Sequence, residues 1–194
     1  FGVGNRATHN LIENVPHIAI GFTGNEQTIE YNEIHSSVFQ SNDAGAIYTS
    51  PPNETWSMRG HKIRYNYLHN IHGFQDKGCI GVYLDDCFSS ADISGNIFYD
   101  VATAILIGGG RDNIMKNNLF LNCGRAFSID ARGLGWAKGV GDFATKELIE
   151  LNYKQPPWSI RYPELVGLLE ETDDGVADEV RRRLEPGDQQ AYRL

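Results

Sequence analysis

Short bursts of alternating apolar and polar residues, separated by asparagines and glycines, run along the chain to about residue 133. One motif recurs five times: an apolar residue, two other residues, Asn, one further residue and a second apolar residue. Its copies begin at Ala7, Ile29, Ile63, Ile93 and Met115. Because the apolar positions alternate by two and lack the spacing of a helix, the pattern predicts short strands.

A third short apolar segment follows the motif in every copy. These segments cover residues 18–20, 47–49, 82–84, 105–107 and 127–129. Three short strands per repeat and a basic period of 22 residues are typical of a parallel β-helix. The sequence therefore predicts an all-β fold of about five coils. We expect the motif asparagines to stand at tight corners, to adopt unusual backbone angles there and to hydrogen-bond between coils.

Insertions and a change of pattern divide the chain. The motif asparagines are 22, 34, 30 and 22 residues apart, so coils two and three carry insertions, which we place at 37–46, 50–60 and 72–80. The inserted loops would border the face formed by the third strands of the middle coils. We predict a β-helix over residues 1–137 and a helical or irregular extension over 138–194 that packs on the coils or extends from them. Within it we expect a helix at Asp142–Leu151 and a solvated charged tail from Asp173.

Alternation directs every second side chain of a third strand outward, so these side chains form a ladder across the coils. The outward pairs, in coil order, are Ala19 and Gly21, Tyr48 and Ser50, Tyr83 and Asp85, Leu106 and Gly108, and Ser128 and Asp130. Asp85 and Asp130 should face the same way, two coils and about 9–10 Å apart. The glycines at 108–110 lie between them and predict a notch where a ligand approaches the backbone.

Further polar residues extend this ladder into a candidate active site. Asp43 enters the same edge one coil earlier, and Asp86 begins the turn after Asp85. We predict catalytic roles for Asp43, Asp85, Asp86 and Asp130, and substrate binding by Tyr48, Tyr83, Arg111, Arg132 and Trp56. Paired carboxylates suit glycosidic cleavage, in which one donates a proton and the other attacks or activates water. The expected spacings leave inversion and retention both open.

The same residues have structural alternatives. The segments Asp130–Gly133 and Arg111–Asn113 also fit turn-closing ion pairs. Several carboxylates on one face also suit Ca²⁺, whose ligands are often carboxylate oxygens from separate loops. We otherwise expect no cofactor.

Composition and charge limit the classes of partner that the chain is expected to bind. The net charge of −8 opposes binding to nucleic acid or to an anionic membrane. No apolar run approaches the roughly 20 residues that span a bilayer. Cys79, Cys87 and Cys123 lack metal-binding spacing, and we expect free, mostly buried thiols. The chain begins at Phe1 inside the repeat pattern without a clear cap, so we expect a mature or trimmed piece that associates with a partner subunit or with itself at the exposed coil end.

Four segments resemble bacterial β-helix proteins of polysaccharide degradation, most closely glycoside hydrolase family 141. They are Asn42–Thr49, Gly81–Cys87, Ile107–Asn113 and Ile129–Ala137, with Pro156–Trp158 and Tyr162–Leu165 also matching. The resemblance covers about residues 1–170. It implies a right-handed parallel β-helix, secretion or a periplasmic location, and hydrolysis of a polysaccharide or oligosaccharide with Asp43 and one of Asp85 or Asp86 as catalysts. Family members are longer, with more coils before Phe1, and the charged tail replaces a further coil.

Two alternatives to hydrolysis stay open on the same fold. A polysaccharide lyase or epimerase would use the acids to bind Ca²⁺ and a Lys, Arg or His as the base, but few lysines lie near this face. A non-catalytic fragment would bind carbohydrate without turning it over.

Overall fold

The computed structural model describes residues 2–50 and 56–169, in which short strands form three parallel sheets of five. The first sheet, in spatial order, contains β1 (Arg6–Thr8), β4 (Thr28–Glu30), β7 (His61–Arg64), β10 (Ala91–Ser94) and β13 (Ile114–Lys116). The second contains β2 (Leu11–Glu13), β5 (Glu33–His35), β8 (Tyr67–Ile71), β11 (Ile97–Val101) and β14 (Leu119–Leu121). The third contains β3 (Ile20–Gly21), β6 (Gly45–Thr49), β9 (Ile80–Leu84), β12 (Thr103–Gly108) and β15 (Arg125–Asp130).

Each sheet takes every third strand of the chain, as the repeat predicts. This arrangement confirms the mainly-β prediction and is consistent with a fold of the parallel β-helix type. Two α-helices follow, α1 (Lys138–Glu150) and α2 (Trp158–Arg161), and 3₁₀ turns cover Phe74–Asp76, Arg132–Leu134 and Pro163–Leu165. Among the described residues, no helix combines the length and apolarity needed to cross a membrane.

Apolar residues stack in register through the space enclosed by the sheets. Ile29, Ile63 and Ile93 face one another along the first sheet, and Leu68 pairs with Phe98 in the second. All five are at most 3% exposed. Each such side chain contributes roughly 1.5–3 kcal/mol when fully buried, so the repeated apolar positions supply the driving force for coil stacking.

The motif asparagines form a continuous hydrogen-bonded ladder between the first and second sheets. Each side-chain amide donates to the carboxamide oxygen of the next, from Asn10 to Asn32, Asn66, Asn96 and Asn118, at 2.8–3.0 Å. The predicted structural role is therefore confirmed. The unusual backbone angle, however, belongs to the preceding residue: Tyr31 and Tyr65 both have φ of 56°, which frees the asparagine to bond across coils.

The strand β3 departs from the predicted register by two residues. Gly21 pairs with Tyr48 and Ile20 with Ile47, whereas the ladder had Ala19 beside Tyr48. A shift of two residues keeps the same side chains on the outer face, so alternation could not distinguish the two registers of so short a strand. Two of the predicted insertions also contact each other, because the Phe74 N–H donates to the Ser41 carbonyl at 3.0 Å.

The C-terminal segment packs on the coils and builds a second apolar cluster. Trp56 lies in it with Leu148, Tyr162 and Leu165, all at most 8% exposed. The predicted helix at Asp142–Leu151 corresponds to α1, which begins four residues earlier. The charged tail from Asp173 lies outside the described residues, and the domain division stays a prediction.

Core-facing positions of the last coil are open to solvent. Phe127 and Ile129 pair with the buried Ile105 and Ile107, yet they are 38% and 44% exposed among the described residues. An uncovered coil end is the feature on which the self-association prediction rests. That prediction stays untested.

Candidate active site on the third sheet

The outer face of the third sheet carries the predicted ladder. Register pairs Tyr48 with Tyr83, Tyr83 with Leu106, and Leu106 with Ser128. The rings of Tyr48 and Tyr83 meet edge to face, with centroids 5.2 Å apart. Asp85 follows β9 directly, so the strand delivers its carboxylate to the end of this aromatic pair.

Asp85 is nearly buried, with 8% of its surface exposed, and its carboxylate is fully engaged. The Tyr48 hydroxyl donates to Oδ2 at 2.9 Å, and the Asp86 backbone N–H donates to Oδ1 at 2.9 Å. The Arg132 guanidinium also donates to Oδ1. Burying a carboxylate is costly unless it is paired, and these donors offset that cost.

Arg132 joins the two acids that the ladder placed two coils apart. Its Nε donates to Asp130 Oδ1 at 2.9 Å and its Nη2 to Asp130 Oδ2 at 2.8 Å, a bidentate pair. Its Nη1 donates to Asp85 and lies 3.6 Å from Asp86 Oδ1. Three of the four candidate catalytic acids therefore meet at one guanidinium. The turn-closing ion pair that we considered for Asp130–Gly133 is also present.

The notch predicted at the glycines is filled by this guanidinium. A Cβ on Gly108 would lie 2.4 Å from the Arg132 Cζ, so only glycine leaves room for it. The prediction of an open gap for a ligand is therefore wrong, because the space over the glycine is occupied by an arginine of the same chain. Strand alternation does not indicate this contact, because it carries no information on how far a side chain from the following turn reaches.

The protonation of the site follows from these contacts. Burial acts to raise the pKa of Asp130, but hydrogen bonds and the charge of Arg132 outweigh it and hold that pKa below its ordinary value. Burial, reinforced by Asp85, raises the pKa of Tyr48 to about 12, and the pKa of Tyr83 is raised for the same reasons. Both tyrosines therefore remain hydrogen-bond donors at neutral pH.

Asp43 and Asp86 complete the set at the rim. Asp43 is exposed, and the Tyr83 hydroxyl donates to its Oδ1 over a long 3.5 Å. The same hydroxyl interacts with Asp85 and with Arg132. Asp86 begins the turn with φ of 44° and accepts a 3.0 Å bond from the Ser50 hydroxyl. The four predicted acids therefore lie around Tyr83 and Arg132.

Arg111 and Trp56 lie at the Asp130 end, in a different setting from the one predicted. Trp56 is 6% exposed within the second apolar cluster, so its ring does not form an open platform. The Arg111 guanidinium lies 6.0 Å from that ring and 3.9 Å from Asp112. Both residues border a cavity of about 30 Å³ that Asp130 also lines, which is about the room of one water molecule.

Trp136 is the aromatic residue that sequence reasoning passed over. It is 79% exposed, and the Arg132 guanidinium lies 5.4 Å from its ring centroid. Its position four residues after Arg132, in the turn that follows β15, is the sequence feature that could have indicated an aromatic ring near the acids.

Arg132 occupies the position at which the candidate carboxylates would bind Ca²⁺. The guanidinium lies between Asp85 and Asp130 and already supplies the positive charge that these carboxylates require. Within residues 2–50 and 56–169, a three-residue group with metal-ligand atoms within 4.8 Å of one another occurs at Glu33, His35 and His69, on the second sheet.

Comparisons of the chain with protein-family models, with curated proteins and with solved structures found no match. The functional argument therefore rests on the geometry of the site.

Proposed function

We propose that the chain is the catalytic core of a secreted or periplasmic glycoside hydrolase, built on a right-handed parallel β-helix of about five coils and acting on a polysaccharide or oligosaccharide. One observation carries the proposal. The nearly buried Asp85 accepts hydrogen bonds from Tyr48 and Arg132, while the exposed Asp43 accepts a long hydrogen bond from the neighbouring Tyr83 hydroxyl.

The two acids have complementary surroundings. Asp85 accepts hydrogen bonds from a cation, a phenol and a backbone N–H, an arrangement that suits a fixed carboxylate acting as nucleophile or base. Asp43 has a single long hydrogen bond and faces solvent, so a bound sugar can reach its carboxyl group, and we assign it the role of the second carboxylate of the pair. The hydroxyl of Tyr83 bonds Asp43 and that of its register neighbour Tyr48 bonds Asp85, so the two carboxylates flank one aromatic pair.

The remaining site residues would bind and orient the sugar. Trp136 offers an exposed apolar ring beside Arg132, and Tyr48 and Tyr83 line the floor. Asp86 and Asp130 hold the guanidinium in place and balance its charge. The resemblance of Asn42–Thr49 and Gly81–Cys87 to family 141 supports Asp43 together with one of Asp85 or Asp86.

The lyase or epimerase alternative is less well supported. Such a reaction needs a residue that accepts a proton from the sugar ring. Hydrogen bonds from Arg132 to Asp130, with the charges of Asp130 and Asp85, raise the arginine's pKa further, so it does not act as a base.

Substitution of Asp85 tests the proposal. D85N should lower hydrolysis by about 10²–10⁴-fold, because the carboxylate is lost while the shape is kept. Release of reducing ends from a panel of polysaccharides and aryl glycosides measures this, and circular dichroism checks the fold. The matched control is D142N, an exposed Asp on α1, which should keep full activity. Undiminished turnover by folded D85N would refute the assignment, and glycan binding without any turnover by the unsubstituted chain would indicate the non-catalytic alternative.

A further inference from the structure

A second cluster of polar side chains lies on the outer face of the second sheet, apart from the carboxylates of the third. Strand register aligns Glu13, His35 and His69 across β2, β5 and β8, with Glu33 one row away. The ligand atoms of Glu33, His35 and His69 lie within 4.8 Å of one another. Glu33 and His35 share β5, and the pairing of β5 with β8 on the next coil brings His69 beside them.

The rings are ordered by their own contacts. The imidazoles of His35 and His69 stack with centroids 4.6 Å apart and planes 19° from parallel. Their side chains are only 20% and 14% exposed, whereas Glu13 and Glu33 are about half exposed. The two rings are therefore largely covered, and the carboxylates have more room to move.

A chain of hydrogen bonds fixes which nitrogen of His69 faces the cluster. The Asn70 amide donates to Asp100 Oδ2 at 3.0 Å, which turns the Asn70 carbonyl oxygen toward His69 Nδ1 at 2.5 Å. Nδ1 must then carry the proton, because a carbonyl oxygen only accepts. His69 Nε2, 3.2 Å from Glu33 Oε1, is left either to carry a second proton or to bind a cation.

His35 repeats this arrangement one coil earlier. Its Nδ1 bonds the Ser36 hydroxyl at 3.0 Å, and its Nε2 lies 3.2 Å from Glu13 Oε2. One divalent ion bound by both Nε2 atoms would compensate the charge of the carboxylates beside them.

We propose that Glu33, His35 and His69 form a binding site for a divalent transition-metal ion of the zinc type, with Glu13 beside it as a further ligand. Imidazole and carboxylate together are ligands that such ions favour, and hydrogen-bonded Nδ1 atoms are the usual outer support of histidine ligands. Zinc–ligand distances of about 2.0–2.2 Å place two ligand atoms at most about 4.4 Å apart, so the two imidazoles must turn out of their stacked arrangement and the half-exposed glutamates must move with them. The ion would link β2, β5 and β8, and the proposal is independent of the proposed hydrolase activity.

Calorimetric titration of the intact chain with zinc chloride tests this site. We expect one ion per chain in the unsubstituted protein and at least a tenfold weaker affinity in H35A and in H69A. N70A, which removes only the support of His69, should weaken binding by about 10–100-fold. H17A is the matched control, because His17 is an exposed histidine away from the cluster, and its affinity should not change.

A second readout separates a built site from surface binding. With Co²⁺ in place of Zn²⁺, visible absorption bands report nitrogen and oxygen ligands in a defined geometry, and H69A should abolish them. Equal zinc affinity in the unsubstituted chain, H35A and H69A would overturn the proposal, as would the absence of any binding by the folded chain.

Discussion

At the scale of single residues, Arg132 organises the candidate site. Its guanidinium lies over Gly108, binds Asp130 with two hydrogen bonds and reaches Asp85 two coils away. It thereby satisfies a carboxylate that is 8% exposed and that has no other cationic partner among the described residues. The same contact would couple the proposed catalysis to stability, because the group that orients Asp85 also compensates its burial.

Removal of this arginine should destabilise the protein. R132A leaves Asp85 buried without its cation, and breaking such a pair costs about 3–5 kcal/mol. The loss is measured as a lower free energy of unfolding in urea. R125A, which removes an exposed arginine from the same strand region, should change it by less than about 0.5 kcal/mol. Equal stability of R132A and R125A would show that the bridge does not hold the site.

A buried histidine predicts a pH dependence of folding. Burial lowers the pKa of His61 from 6.5 to about 4, since its ring packs between those of Phe22 and Phe88. Below pH 6.5 the unfolded chain therefore binds a proton that the folded chain does not, and stability falls as the pH drops from about 6.5 toward 4. The full contribution is about 3 kcal/mol.

Urea unfolding between pH 4 and pH 7 measures this effect. H61Q should flatten the dependence, because glutamine does not titrate, whereas H17Q, an exposed control, should retain it. The same slope in H61Q and the unsubstituted chain would contradict the interpretation.

At the scale of elements, the asparagine ladder ties each coil to its neighbours. Asn66 donates to Asn96 Oδ1 and to the Ile29 carbonyl, and its own oxygen accepts from the Asn32 amide and backbone N–H. Asn10, at the end of the ladder, bonds only one neighbouring asparagine through its side chain. Interior and terminal positions therefore differ in the number of buried groups that they satisfy.

That difference predicts that loss of an interior asparagine destabilises the protein more than loss of a terminal one. N66A leaves several buried donors and acceptors unpaired and should cost about 3 kcal/mol, whereas N10A should cost about 1 kcal/mol. Thermal unfolding monitored by circular dichroism compares the two. A larger effect for N10A than for N66A would contradict the ladder as the source of coil cohesion.

Predictions from sequence succeeded where a periodic pattern repeats. Alternation and the recurring Asn identified the strands of all three sheets, and the ladder register of Tyr48, Tyr83, Leu106 and Ser128 agrees with the structure. The register of the two-residue β3 was wrong by two residues, a shift that alternation cannot detect. The reach of side chains that follow a turn was not predicted: Arg132 fills the notch, and Trp136 rather than Trp56 is exposed beside the acids.

At the scale of the whole molecule, the C-terminal segment is fastened to the coils by a buried arginine. Arg59 is 0% exposed, and it binds Asp112 at 2.5 Å and Glu164 at 2.9 Å. Glu164 lies in the 3₁₀ turn that also carries Leu165 into the apolar cluster around Trp56. The segment thus supports the Asp130 end of the candidate site from behind, through Trp56 and the cavity it borders.

Loss of this arginine should loosen the segment from the coils. R59A removes a fully buried side chain and its hydrogen bonds to two partly exposed carboxylates, and we expect a cost of about 1–3 kcal/mol and faster proteolytic cleavage after residue 137. The exposed ion pair of Arg161 with Glu26 provides the control, since R161A should leave the cleavage rate nearly unchanged. Equal cleavage of R59A and the unsubstituted chain would contradict this role.

The most direct test of the central claim is chemical rescue of the proposed catalytic carboxylate. D85A should hydrolyse an aryl glycoside that the unsubstituted chain cleaves at least 10²-fold more slowly. Sodium azide, a small anion able to enter the space beside Arg132, should restore a measurable part of that rate, and chloride should not. Full activity of D85A without azide, or failure of the unsubstituted chain to cleave any glycoside or polysaccharide, would contradict the account.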